Sequence, residues 1–164
     1  AAGVGLALAC YCDLRFAATG AKLTTAHGKL NLPAEYGLSW LLPRLIGLTH
    51  ANDLLLSSRV VLAEEAQSMG LVNRVLPVDE IVDAARDYAT MLVNTVAPAA
   101  LATTKRQIAI DQLHDDLGAS VRHAQALLDI MSTDPDYLEA VRVFGTDEPP
   151  AWTQPPRATT PPPS

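Results

Sequence analysis

The sequence predicts an α/β chain in which short mixed elements give way, near residue 79, to a run of helices. Three observations carry that prediction. Glycine turns and short apolar runs alternate as far as Pro77. Beyond Asp79, apolar residues recur at helical spacing, as at Ile81, Ala84, Ala85, Tyr88 and Leu92. The chain has 164 residues, enough for a domain with a real core.

Composition narrows the function classes. The chain is 49% hydrophobic and 18% charged, the balance of a globular protein. A net charge of -6, with no Lys/Arg cluster against it, argues against nucleic acid as the main partner. No apolar run is long enough to cross a bilayer, so no membrane partner is expected. Cys10 and Cys12 stand one residue apart in an apolar segment. With no second cysteine pair they cannot complete a zinc site, and no metal is expected. They read as buried small hydrophobes in a reducing compartment, which points to the cytoplasm.

Taken in order, Gly3-Val4-Gly5 is a sharp turn feeding a short buried helix through LALACYC. A glycine turn at a helix start aims free N–H groups at one point, as needed to hold an anion or a polarised carbonyl oxygen. A tight turn that simply packs is the alternative. Leu14 to Ala17 reads as a strand, with Arg15 able to pair locally with Asp13. Thr19-Gly20 is a turn, and Lys22 to Thr25 a second strand. Leu38 to Ile46 is an apolar helix ending at Gly47, with Pro43 expected to kink it or end its regular part. Thr49 or His50 opens the next helix, His50 as a surface residue of the cap region. Ala63 opens a short helix stopped by Gly70. Leu71 to Leu76 alternates as a strand closed by Pro77. Helices follow over residues 80 to 96, from Pro98 to about Leu117, from Ser120, and from Asp134-Pro135 to about Phe144. The expected organisation is a mixed core over 1–78, a helical region over 79–148 and a tail over 149–164. That tail holds seven of the twelve prolines, so it is expected to be disordered.

The stretch from Leu23 to Gly47 carries the chemistry. His27 and Glu35 lie eight positions apart, with Pro33 and Gly37 flanking the acid. Glu35 has two readings. It is a helix-start acid favoured by the macrodipole, or a general base against a pocket wall, its pKa raised by burial.

The runs GVGLALACYCDLRFAA, GLSWLLPRLIG, LLLSSRVVLAEEAQSMGLVNRVLP and TTKRQI resemble the crotonase superfamily, the enoyl-CoA hydratases and isomerases. The match runs without gaps from Gly3 to about Pro77 and continues loosely to Phe144. The resemblance implies a spiral of β-β-α units followed by a helical trimerisation region, hence a homotrimer or hexamer. It implies an acyl-CoA substrate, with coenzyme A entering only as part of that substrate and no other cofactor. It places the thioester oxygen between two backbone N–H groups. One is that of Val4, between the substrate-contacting Gly3 and Gly5. The other belongs to a loop that in this family precedes the turn, so the chain is expected to be the C-terminal part of such a protein, weakly active or inactive alone.

In the resembling hydratases, one Glu follows two residues after the glycine turn and a second comes later. Those positions are Ala7 and His27 here. Glu35 falls where the isomerases of the family place a catalytic Glu or Asp. The resemblance therefore implies isomerisation by a single Glu35 base in an apolar pocket, with His27 as a second polar group or part of the pocket wall. The alternative is a crotonase homologue without turnover that keeps its helices for association.

Overall fold

The computed structural model describes residues 1–153. It divides into two compact units between Arg86 and Asp87, inside a helix.

The first unit is built on two small sheets and three helices. Helix α1 (Val4–Tyr11) leads to strand β1 (Phe16–Ala18) and strand β2 (Lys22–Leu23). A 3-10 turn, His27–Leu30, precedes α2 (Leu38–Ser57). Strand β3 (Val61–Leu62), α3 (Ala63–Ser68) and β4 (Arg74–Leu76) complete the unit. β1 pairs in parallel with β4, Ala17 opposite Val75. β2 pairs antiparallel with β3, Leu23 opposite Val61. A parallel bridge joins Ala2 to Thr24. Leu6, Ala7 and Cys10 of α1, Leu38, Leu42 and Ile46 of α2, and Leu71 and Val72 ahead of β4 form one apolar core.

Several expectations shift on this frame. The strand read over Leu14 to Ala17 moves to Phe16–Ala18. Arg15 lies ahead of it, with Nε donating to the Leu71 carbonyl at 2.6 Å and Nη1 to that of Cys12. Helix α2 is two helices parted at Gly47, where φ is 74° and ψ 160°, as read from the sequence. Pro43 does not interrupt the first of them. Proline's φ suits a helix and removes only one hydrogen bond, whereas glycine can leave the helical region altogether. The two cysteines also part company. Cys10 is buried and burial pushes its thiol up, while Cys12 is exposed.

The second unit is helical. It contains the end of α4 (Ile81–Thr95), then α5 (Pro98–Asp111), α6 (Leu117–Met131) and α7 (Pro135–Val143). Pro98 and Pro135 occupy first-turn positions, where a missing N–H costs nothing. α5 stops earlier than expected because Asp116, not Ser120, caps α6. The Asp116 carboxylate accepts the Ala119 N–H at 2.9 Å, and Ser120 lies inside the helix with its hydroxyl on Asp111. No residue of α4, α5 or α6 is fully buried, and the α4 stripe of Ile81, Ala84, Ala85, Tyr88 and Leu92 is half-buried.

The start of the expected tail is attached. The Thr153 N–H and hydroxyl both donate to Asp136 Oδ1 at 2.7 Å. The Ala151 N–H donates to Glu139 Oε1 at 2.8 Å. Asp136 is 5% exposed, so these bonds satisfy a buried carboxylate. Residues 154–164 of the expected tail lie outside the described residues.

This attachment has a pH signature. The Arg142 side chain, and after it the Ala151 N–H, hold the Glu139 carboxyl down at about 2, against a usual value of 4.5. A folded pKa below the unfolded one stabilises fully above pH 4.5 and is lost as pH falls toward 2. Truncation after Pro150 is expected to lower the melting temperature by several degrees at neutral pH, and by less at about pH 3. Identical melting of the two chains at neutral pH would show that residues 151–153 do not hold α7.

Candidate functional site

The site is built around the peptide between Gly3 and Val4. Gly3 has φ 51° and ψ -122°, the first central position of a type II′ turn, closed by the Gly5 N–H on the Ala2 carbonyl at 3.0 Å. The Gly3 carbonyl then accepts the N–H groups of Leu6 and Ala7, both at 3.0 Å. It thus points along α1. In a trans peptide the N–H opposes the carbonyl, so the Val4 N–H points out of the helix start. Val4 is the first helical residue, where an N–H has no partner within the helix. Gly3 and Thr24 lock the turn to the sheet, the Gly3 N–H donating to the Thr24 carbonyl at 3.1 Å.

Nothing lies within 4 Å of where a Cβ on Gly5 would stand. Ala7, where a carboxylate would serve hydration in the resembling enzymes, is 1% exposed and belongs to the core.

His27 begins the 3-10 turn beyond β2. Ala26 ahead of it is left-handed, with φ 61°. The turn hangs on the fully buried Ser58, whose hydroxyl accepts the Gly28 N–H at 2.9 Å and the Thr25 hydroxyl at 3.1 Å. His27 is 8% exposed, and its Nδ1 is buried without a hydrogen-bond partner.

Glu35 is exposed in this chain and is not the helix-start acid of its first expected reading. It stands outside the first turn of α2, whose N-cap is Gly37. The reason is local. Tyr36 and Gly37 are both left-handed, with φ 54° and 72°, and they swing the chain between the acid and the helix. Its carbonyl accepts the Leu38 N–H at 3.1 Å, and its carboxylate takes part in no hydrogen bond or ion pair among the described residues. The residue that sequence reasoning missed is Tyr11. Its hydroxyl donates to the Tyr36 carbonyl at 2.7 Å, joining the end of α1 to the loop of Glu35. The only signal was a tyrosine in an otherwise apolar helix, whose hydroxyl needs a partner.

A family model described as enoyl-CoA hydratase/isomerase matches residues 1–155. The chain belongs to this family, within the crotonase superfamily. It is 33% identical over 154 residues to the mitochondrial methylglutaconyl-CoA hydratase of Mus musculus, covering 93% of this chain and 49% of that protein. It is 42% identical over 89 residues to the glyoxysomal fatty acid β-oxidation multifunctional protein MFP-a of Brassica napus, covering 54% of this chain and 12% of that one. Among solved structures, the enoyl-CoA hydratase of Bacillus anthracis superposes with a TM-score of 0.86 at 29% identity, over 93% of this chain and 58% of that one. The chain thus spans about half the length of the mouse relative and a far smaller part of the Brassica one. The α/β crotonase fold that the resemblance implies stands, with helices dominating and the strands few and short.

The two glycines of the turn should respond differently to a methyl group. Gly3→Ala forces a side chain into a backbone region that is essentially glycine's own, and should cost about 1–3 kcal/mol in denaturant unfolding. Gly5→Ala meets open space inside a helix and should be neutral or stabilising by about 0.5–1 kcal/mol. Equal effects would mean that the turn is not of this type.

Proposed function

We propose that this chain supplies part of the catalytic site of an acyl-CoA double-bond isomerase. The observation that carries the reading is the outward Val4 N–H, set on a type II′ turn at the start of α1. Such a donor stabilises the negative charge that a thioester oxygen gains when a proton leaves C2. Glu35 takes that proton and returns it at C4, so that a 3-enoyl thioester becomes a 2-enoyl thioester and the carboxylate is regenerated. Its free carboxylate suits a base that engages only substrate.

Isomerisation is preferred to hydration on residue count. Adding water across a double bond needs one group to activate water and another to deliver a proton. Ala7 and His27 occupy the two positions where the resembling hydratases carry carboxylates. The names of the similar proteins include hydratases, so both reactions belong in the assay. Coenzyme A is part of the substrate in this reading. The exposed apolar residues of α4, α5 and α6, such as Val93, Ile108 and Leu128, are the surfaces through which copies of the chain associate.

Glu35→Gln, made in the protein that carries this chain, keeps the shape of the side chain and removes the base. Isomerisation of a 3-enoyl-CoA should fall by about 10²–10⁴-fold, with KM little changed. A near-normal rate would leave Glu35 without a role. Fast hydration of a 2-enoyl-CoA by the unaltered protein would replace isomerisation as the reaction.

A further inference from the structure

We propose that Tyr11 is a positioning residue, holding the Glu35 loop against the helix that presents the Val4 N–H. The inference rests on the reading of Glu35 as the base.

Its grounds are geometric. α1 is a single eight-residue helix with Val4 at one end and Tyr11 at the other. The Tyr11 hydroxyl donates to the Tyr36 carbonyl at 2.7 Å. That carbonyl belongs to the peptide joining two left-handed residues, one of them a tyrosine with φ 54°. A left-handed residue with a side chain persists only when its surroundings enforce it. The Tyr11 hydroxyl is such an enforcing contact, one residue beyond Glu35. Gly37 is fitted to it, since a Cβ there would stand 2.9 Å from the Tyr11 oxygen.

Tyr11 is 61% exposed, so its hydroxyl contributes little to the core. Its effect falls on where the acid sits. Proton transfer between C2 and C4 demands that the base be held relative to the bound thioester oxygen. Both the N–H and the anchor of the acid's loop are then referred to one rigid helix.

The test is a double-mutant cycle on turnover in the protein that carries this chain. Tyr11→Phe removes only the hydroxyl and should leave the melting temperature nearly unchanged. It should lower kcat for 3-enoyl-CoA isomerisation about tenfold, the scale expected when a reacting group is misplaced by less than about 1 Å, with KM changed by less than about twofold. In the Glu35→Gln background the same change should cost nothing further, because groups that act as a unit are not additive. Unchanged kcat in Tyr11→Phe, or a full further loss in the Glu35→Gln background, would overturn the inference while leaving Glu35 as base. Normal turnover by Glu35→Gln would overturn both.

Discussion

The peptide between Gly3 and Val4 faces two ways, and the site depends on that division. Its carbonyl is committed to α1 through Leu6 and Ala7, which fixes the orientation of the whole plane. Its N–H is thereby held outside the helix, with no freedom to turn inward and find a partner. An N–H fixed in this way needs no reorganisation when charge develops in front of it, the condition under which a donor contributes most. Only glycine tolerates the backbone angles that achieve this. Val4, by contrast, supplies only its backbone, which explains how a bulky residue, 49% exposed, can occupy the centre of the motif.

A second constraint sits behind the turn. Ser58 is fully buried with a left-handed backbone, φ 46°. It gathers the Thr25 hydroxyl and the Gly28 N–H on its own hydroxyl, and the Thr24 hydroxyl on its carbonyl at 3.0 Å. Thr24 is also the residue that accepts the Gly3 N–H. One polar knot therefore ties the end of α2 to the strand beside the glycine turn and to the turn bearing His27. Buried polar groups are costly unless satisfied, and satisfied networks rigidify. The unpaired Nδ1 of His27 is the exception within the knot.

The parts of this arrangement that could be read in advance are those governed by local chemistry. The glycine turn, the helix after it, the stop at Gly70 and the proline starts of α5 and α7 each follow from residues within one or two turns. What was not legible depends on partners far along the chain. β3 is two residues long and exists through its pairing with β2. The 3-10 turn depends on Ser58, thirty residues beyond Gly28. The exposure of Glu35 follows from two successive left-handed residues, one of which is a tyrosine that no turn preference would select. The attachment of Ala151 and Thr153 to α7 was hidden by proline-rich composition, which describes the segment as a whole and not the two residues whose N–H groups meet carboxylates.

The two units also differ in what their apolar residues accomplish. In the first, apolar side chains of α1, α2, α3 and the strands converge on one core. In the second, helices of comparable patterning leave Val93, Ile108, Leu117 and Leu128 exposed. α1 shows the same duality on a smaller scale. Leu6, Ala7 and Cys10 enter the core, while Val4, Leu8 and Tyr11 share the opposite stripe and stay exposed. A helix apolar on every side is ordinarily enclosed on every side. The outer stripe of α1 begins at the outward N–H and ends at the tyrosine that holds the loop of the acid.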